Sequence, residues 1–352
     1  MTIAQTGRLA ISAIGVCAAT MLAACGGALT APGTGSPAQT GAVSQARQDT
    51  GGGCPLKRCI IVTSETGYRN KPLPAVLFFA KGANGNVSPA GEITGPKTML
   101  GSIPAGLAMD SHGNIYVANN TSNTITVYAA GAEGNVAPIR TITGTMTRLN
   151  QPTGLAIDSH DRLYVANSQT NTVTIYAPNA NGNAAPVRTI GGKNTDLYSP
   201  WGLAFDSQSN LYVADDNPNN GWITVYAPSA KGNEAPERTI KGSATKLDGP
   251  AGLAVDASRY IYVVNSTDES ISIFSPTANG DEAPVSYFSG PIYAFGIGLD
   301  GHANMYVTSV GYDDLPSVTV FAAGTMGNDG DILRMIEGRK TRLIFPRGVI
   351  VR

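Results

Sequence analysis

PTGLAIDSHDRLYVAN, residues 152–167, is one copy of a motif that recurs along most of this chain. The motif runs Pro-x-Gly-Leu-Ala-x-Asp, then four residues, then Ile or Leu before Tyr-Val-Ala-Asn or a close variant. Four copies begin at Pro104, Pro152, Pro200 and Pro250, and a degenerate fifth begins at Gly296. The motif tyrosines are 48, 48, 50 and 44 residues apart: Tyr116, Tyr164, Tyr212, Tyr262 and Tyr306. A regular period of this length predicts a repeat architecture.

Each repeat contains four segments that we predict to be β-strands, named a, b, c and d in chain order. Strands a and b are the two halves of the motif, and strand c alternates in polarity, as in residues 124–128. A Gly-Asn-x-Ala-Pro turn (residues 134–138) and an Arg-Thr-Ile strand d (residues 140–142) complete the unit. One such sheet cannot bury both of its faces, so neighbouring sheets must stack. Four-stranded units of this length are typical of β-propeller blades.

The two ends of the chain together supply one further blade. Residues 59–62 match strand b, residues 75–80 match strand c and residues 92–95 match strand d, but no strand a precedes them. The missing strand is at the other terminus, where residues 346–351, PRGVIV, match Pro-x-Gly-Leu-Ala-x. Such closure leaves no free sheet edge. The sequence therefore predicts an all-β six-bladed β-propeller over residues 54–352, with four antiparallel strands per blade, closed by the C-terminal strand in the first blade.

The repeat resembles that of NHL-repeat propellers, whose units also run Pro-x-Gly-Ile/Val-Ala-x-Asp and then Tyr-Val-Ala-Asp. The likeness extends from Cys54 to Arg352. The final Asp of that pattern is kept only at Asp215 and becomes Asn119, Asn167 and Asn265 elsewhere. The resemblance implies the fold, and it leaves function open because this fold carries both binding modules and enzymes.

The N-terminus has the features of an export signal. Arg8 is the only charge in residues 1–24, and the apolar stretch 9–24 is shorter than the roughly 20 residues that span a bilayer. Its end, Leu22-Ala23-Ala24-Cys25, resembles the lipobox of bacterial lipoproteins, which implies cleavage before Cys25 and lipid on its sulfur. Residues 25–53 have the composition of a flexible tether. We expect an exported protein, lipid-anchored to the bacterial cell envelope; the alternative is an ordinary signal with a chance cysteine.

Gly26 after the lipidated cysteine favours the outer membrane if the host has two membranes. The net charge of −1 argues against a nucleic-acid partner, and we expect contact with the membrane only through the lipid. The exported compartment is oxidising, which favours a Cys54–Cys59 disulfide over two unpaired thiols. We expect the protein to be a monomer.

Catalytic patterns are not evident in the sequence. His112, His160 and His302 each follow the repeat Asp by two residues, in different blades, so they cannot converge on one metal. Six-bladed lyases need imidazoles at the central site, and calcium-dependent lactonases of similar fold need carboxylates and amides there. The six positions predicted to surround the channel mouth contain no carboxylate: Ala105, Thr153, Trp201, Ala251, Phe295 and Arg347. We predict no cofactor and no metal ligand, with calcium as the alternative.

Two sets of residues are candidate contacts on the face that carries the b–c and d–a loops. Trp201, Phe295 and Arg347 are large and of the types common in binding hot spots, although they could instead plug the channel. The b–c loops add Asn119, Asn167, Asp215, Asp216, Asn265 and Asp268, with further acidic residues at Glu269, Asp313 and Asp314 and basic residues opposite at Arg69 and Lys71.

The sequence thus predicts a non-catalytic binding or scaffold module for an envelope protein or glycan. The alternatives are a calcium-dependent hydrolase or lyase that uses Asp215, Asp216 or Asp268, and a purely structural spacer.

Overall fold

The computed structural model describes residues 59–68, 71–218, 220–311, 315–325 and 330–352. These residues belong to one compact unit, which spans residues 49–352, and they form 24 β-strands. The predicted signal peptide (1–24), the predicted lipid-anchored linker (25–53) and Cys54 lie outside the described residues. In the described part of the chain, no helix is both long and apolar enough to cross a membrane.

The strands form six antiparallel four-stranded sheets, which confirms the predicted six-bladed propeller. Every blade has the order a-b-c-d. Blade 1 contains β24 (Val349–Val351), β1 (Cys59–Tyr68), β2 (Lys71–Ala80) and β3 (Gly91–Thr94). Blade 2 contains β4 (Pro104–Met109), β5 (Ile115–Asn119), β6 (Thr124–Tyr128) and β7 (Arg140–Ile142). Blade 3 contains β8 (Pro152–Ile157), β9 (Leu163–Asn167), β10 (Thr172–Tyr176) and β11 (Arg188–Gly191).

The remaining blades repeat this plan. Blade 4 contains β12 (Pro200–Phe205), β13 (Leu211–Asp215), β14 (Trp222–Tyr226) and β15 (Arg238–Ile240). Blade 5 contains β16 (Pro250–Val255), β17 (Ile261–Asn265), β18 (Ser270–Phe274) and β19 (Ser286–Ser289). Blade 6 contains β20 (Ala294–Leu299), β21 (Met305–Ser309), β22 (Ser317–Phe321) and β23 (Ile332–Glu337). Short 3₁₀ turns lead from strand d into the next strand a: Pro96–Thr98, Thr145–Thr147, Ser243–Thr245 and Arg339–Thr341.

The C-terminal strand closes the ring as the innermost strand of blade 1. Val62 pairs with Val349 and Ile60 pairs with Val351. Thr63 extends the contact, because its amide donates to the Gly348 carbonyl at 3.0 Å and its own carbonyl accepts from the Arg347 amide at 2.9 Å. The Gly348 amide also donates to the Thr63 hydroxyl at 2.8 Å. Residues from the two ends of the described chain therefore fix the mouth of the ring together.

The hydrophobic core is divided among the junctions between blades. Alternate residues of each strand face opposite neighbours: Ile60 and Val62 pack in a cluster with blade 6, and Ile61 packs in a cluster with blade 2. Six such clusters are present among the described residues, one at each junction. This arrangement buries both faces of every sheet, as the alternating pattern requires.

The Gly-Asn turn before strand d connects neighbouring blades as well as neighbouring strands. In blade 3, Asn183 Oδ1 accepts the Met146 amide of the preceding loop at 2.8 Å, and Gly182 forms a parallel bridge with Ile142. The same side-chain contact recurs at Asn86, Asn135, Asn233 and Asp281. The repeat period and the polar residues of the sequence predict a turn here. They do not predict its hydrogen bond to the neighbouring blade, because the bonded amide lies about one repeat away in the chain.

Candidate functional site at the channel mouth

The innermost strands surround a central cavity of about 150 Å³ at the end of the channel where the strands a begin. Each blade contributes its Pro-x-Gly-Leu segment or the equivalent. The structure brings the six predicted mouth positions together in the lining: Ala105, Thr153, Trp201, Ala251, Phe295 and Arg347. Among the described residues that line this cavity, none is a carboxylate, histidine, cysteine or serine.

Three large side chains lie side by side at this mouth. The rings of Trp201 and Phe295 have centroids 6.4 Å apart and planes inclined by 25°. The Arg347 guanidinium lies over the Phe295 ring, 5.0 Å from its centroid, in a cation–π arrangement. All three side chains are half-buried. They come from blades 4, 6 and 1, and together they leave a cavity of about 150 Å³ at the mouth, a volume sufficient for one ring.

Two exposed tyrosines extend this aromatic face along the d–a loops. Tyr198 is 43% exposed and Tyr293 is 59% exposed. Tyr293 adopts φ +47°, a left-handed conformation that a bulky residue adopts only at a cost. The residues just before strand a in blades 3, 4 and 5, Gln151, Ser199 and Gly249, also have positive φ, so this conformation belongs to the repeat. Tyr293 therefore adds an exposed aromatic ring to this face, in a backbone conformation that the repeat already has at this turn.

Arg347 is fixed through its backbone and keeps its side chain available. Its carbonyl accepts the Thr308 hydroxyl at 2.6 Å, and its amide donates to Thr63 at 2.9 Å. Burial lowers the pKa of the guanidinium, and the nearby Glu65 carboxylate opposes that shift. Among the described residues, none accepts a hydrogen bond from the guanidinium or forms an ion pair with it. The guanidinium donors are therefore left for water or for a ligand.

Glu65 is a mouth residue that the sequence analysis did not single out. It is half-buried within β1, three residues after the part of that strand that pairs with the C-terminal strand, and it is not among the residues that line the cavity. Burial raises the pKa of its carboxyl group, and the positive charge of Arg347 opposes that rise. No local motif marks it, because its proximity to Arg347 depends on contact between residues far apart in the chain.

Four of the predicted contact residues are enclosed within their blades. Asn119, Asn167, Asp215 and Asn265 are fully buried at the end of strand b. Their Oδ1 atoms accept amides of the d–a loop, as in Asn167 with the Asn150 amide at 3.0 Å. The other side-chain atom bonds strand c, as in Asn167 Nδ2 to Thr174 Oγ1 at 3.0 Å. These residues hold the mouth loops in place and are absent from the cavity lining.

Asp215 carries a titratable group at this enclosed position. Its carboxyl accepts the Tyr198 amide at 2.9 Å and the Thr224 hydroxyl at 3.0 Å. Burial nevertheless raises its pKa well above the ordinary value, with a further contribution from the charge of Asp196. The same position is an amide in blades 2, 3 and 5, which needs no such desolvation of charge.

We expect Asp215→Asn to stabilise the protein at pH 7 by about 1–3 kcal/mol. The raised folded-state pKa means that the native state is penalised once pH exceeds the unfolded value of about 3.9. The gain should therefore vanish at and below that pH and be present above it. Urea denaturation between pH 3 and pH 8 measures the difference. Asp281→Asn is the matched control, since Asp281 is exposed where other blades have Asn; an equal gain in both variants would contradict the assignment.

Only some of the acidic residues predicted in the b–c loops lie close together. The pKa of Asp248 is raised by burial and then by the charges of Asp268 and Asp216, so these three carboxylates share one side of the mouth face. Asp268 accepts the Ser270 hydroxyl at 2.6 Å and the Tyr287 hydroxyl at 3.0 Å. Asp313 and Asp314 lie outside the described residues. Within the described ranges, no three His, Cys, Asp or Glu side chains are grouped so that they could hold a metal ion.

The three histidines lie away from the mouth. The amides of His112, His160 and His302 donate to the repeat Asp in the a–b hairpin, as in His112 to Asp110 Oδ1 at 3.0 Å. Cys59 is buried and disulfide-bonded. The other three cysteines, Cys54 among them, lie outside the described residues, as does Arg69, so the Cys54–Cys59 pairing stays a prediction.

Comparisons with known proteins support the propeller fold. A family model described as "Lactonase, 7-bladed beta-propeller" matches residues 88–189, which run from the end of blade 1 into blade 3. The match covers less than a third of the chain, and the described residues form six blades. No curated protein matches this chain.

Solved structures resemble the chain at low sequence identity. A protein of unknown function from Bacteroides caccae matches with a TM-score of 0.59 and 9% identity, covering 84% of this chain and 100% of that one. A protein from Lactobacillus plantarum matches with a TM-score of 0.54 and 15% identity, covering 80% and 82%. A catalytically inactive virginiamycin B lyase from Staphylococcus aureus matches with a TM-score of 0.51 and 13% identity, covering 74% and 82%. Such identities show the fold alone. The chain is thus similar to proteins of the β-propeller class and has six blades.

Proposed function

We propose that this protein is a non-catalytic binding module of the bacterial cell envelope, anchored through lipid on Cys25, whose channel mouth receives a ring-sized group of a protein or glycan. The observation that carries the proposal is the adjacency of Trp201, Phe295 and Arg347 beside a cavity of about 150 Å³. Aromatic rings next to one cation supply apolar contact and orientation, which is the usual composition of a ligand pocket. The exposed Tyr198 and Tyr293 extend the contact beyond the cavity.

The lining offers recognition but no evident chemistry. The polar side chains among the described lining residues are Thr153 and Arg347. The Thr153 hydroxyl donates to the Pro200 carbonyl at 2.8 Å, so it bridges two blades. An arginine stays protonated in proteins and is therefore a poor general base. No carboxylate or imidazole lies beside it in the lining to activate a nucleophile. The proposal therefore assigns binding, without bond cleavage, to this mouth.

A metal-dependent hydrolase or lyase is the second candidate, and the lactonase-type match over residues 88–189 favours it. It would use Asp215, Asp216 or Asp268, of which Asp215 is enclosed by its blade. Calcium titration followed by heat denaturation separates the two candidates. An enzyme that binds calcium gains about 2.7 kcal/mol at one hundred times the Kd, whereas we expect no calcium-linked stabilisation.

We expect Trp201→Ala to weaken retention of the envelope ligand at least tenfold. The measurement immobilises the full chain, passes detergent-solubilised envelope protein and glycan over it, and quantifies what each variant retains. Tyr260→Ala is the matched control, because Tyr260 is 38% exposed in an a–b hairpin at the far end of the channel. Equal retention by wild type and the Trp201 variant would refute the mouth as the binding site.

A further inference from the structure

Arg347 gives the channel mouth a chemical preference. Its guanidinium lines the cavity, has no hydrogen-bond acceptor among the described residues and is partly desolvated. One of its planar faces is already covered by Phe295, at 5.0 Å. The N–H groups in the plane of the guanidinium have no acceptor among the described residues. A carboxylate fits this need best, because its two oxygens accept two parallel N–H bonds from the guanidinium.

Trp201 and Glu65 restrict what carries that carboxylate. The Trp201 ring presents a flat apolar platform beside the cavity, 6.4 Å from the ring of Phe295. The cavity volume of about 150 Å³ suits one six-membered ring. Glu65 lies outside the cavity lining, at the rim, and its charge interacts with that of Arg347. A carboxylate in this position accepts hydrogen bonds, so it favours a ring with hydroxyl donors over a purely apolar ring.

We propose that the group bound at the mouth is a sugar acid, a uronate ring whose carboxylate pairs with Arg347, whose apolar C–H face packs on Trp201 and whose hydroxyls face Glu65. This inference rests on the proposed binding function of the mouth and specifies its ligand class. It also places the key cation on the segment that closes the ring, because the Arg347 backbone bonds Thr63 of blade 1 and Thr308 of blade 6. Ligand binding and ring closure should therefore reinforce each other.

The test uses the full chain and three small probes: sodium glucuronate, glucose and sodium benzoate. The sequence has two tryptophans, so the indole N–H of each gives a separate NMR signal. We expect glucuronate to shift the Trp201 signal in a saturable manner and the Trp222 signal little, since Trp222 is buried and its N–H donates to the Asp196 carbonyl. The Kd for glucuronate should be at least tenfold lower than the values for glucose and benzoate.

Arg347→Gln should remove the preference for glucuronate over glucose. Arg347→Lys should retain part of the preference, because it keeps the charge and loses the planar pair of donors. Arg259→Gln is the control, since Arg259 contacts Gln208 at the far end of the channel at 2.7 Å. Heat denaturation of each variant confirms that it is folded.

The outcomes separate this inference from the function on which it rests. Equal affinity for glucuronate and glucose, or a preference that survives Arg347→Gln, overturns the carboxylate assignment. Equal affinity for benzoate and glucuronate overturns the sugar assignment. If no probe moves the Trp201 signal while Trp201→Ala still abolishes retention of envelope ligand, the sugar-acid inference is wrong and the binding function stands. If neither effect is seen, both are wrong.

Discussion

Gly154→Ala should lower the free energy of unfolding by about 3 kcal/mol or more, through overpacking against rigid backbone. A Cβ on Gly154 would lie 2.0 Å from the Trp201 carbonyl oxygen of the next blade. The obstacle is backbone, so no side chain can rotate out of the way. Gly296 has the same constraint, with the Arg347 carbonyl oxygen at 1.9 Å. The glycine of Pro-x-Gly is therefore required because the innermost strands approach one another closely around the channel.

Urea denaturation of the full chain measures this effect as a lower midpoint. Gly301→Ala is the matched control, because its added Cβ would meet no atom within 4 Å, and a surface change of this kind is expected to stay within about 0.5 kcal/mol. The Gly154 variant should also bind ligand less well, since the carbonyl that the added Cβ displaces belongs to Trp201. A Gly154 variant as stable as wild type would mean that the innermost strands are farther apart than the structure has them.

The repeat period and the alternation of polarity were sufficient to predict the architecture. Strand c at residues 124–128 depends on local pattern and is in the structure as predicted. Of the predicted strand a at residues 346–351, the structure forms Val349–Val351, in the predicted place in blade 1. The convergence of Trp201, Phe295 and Arg347 on one mouth followed from their equivalent positions in three blades. Once the number of blades is known, residues at equivalent positions of the repeat must lie at the same level around the channel.

The sequence alone did not predict the contacts between segments that lie far apart in the chain. Glu65 is near Arg347 only because the C-terminal strand joins blade 1. Asp248 is near Asp216 and Asp268 because its d–a loop lies beside the b–c loops of blades 4 and 5. Asn167 is polar and ends a strand, so the sequence suggests an exposed hairpin residue. The structure instead buries it beneath the d–a loop. Its burial is tolerated because every hydrogen-bonding group of the amide finds a partner, and that satisfaction is visible only in three dimensions.

Deleting residues 347–352 should lower the melting temperature sharply, and it is the second large effect that we expect. The deletion removes strand β24, the Thr63 hydrogen bonds to Arg347 and Gly348, and the buried Val349. It leaves Ile60 and Val62 without their inner partners and opens the ring between blades 6 and 1. Loss of a whole strand combines lost apolar burial with unpaired backbone groups, each worth roughly 1 kcal/mol or more.

The matched control is a chain that lacks only Arg352, whose side chain is exposed at the terminus. That chain loses one backbone bond, from the Arg352 amide to the Cys59 carbonyl at 3.0 Å, and should melt close to wild type. A six-residue deletion that melts at the wild-type temperature would show that the C-terminal segment does not close the ring.

Hydrogen exchange at the Thr63 amide of the intact chain tests the closed ring most directly. This amide donates to the Gly348 carbonyl at 3.0 Å, so its exchange reports whether the C-terminal segment occupies the inner edge of blade 1 and holds Arg347 at the mouth. We predict protection close to that of the most slowly exchanging core amides, which open only with global unfolding. Exchange at the rate of an unpaired sheet edge would contradict the closure and, with it, the site built on Arg347.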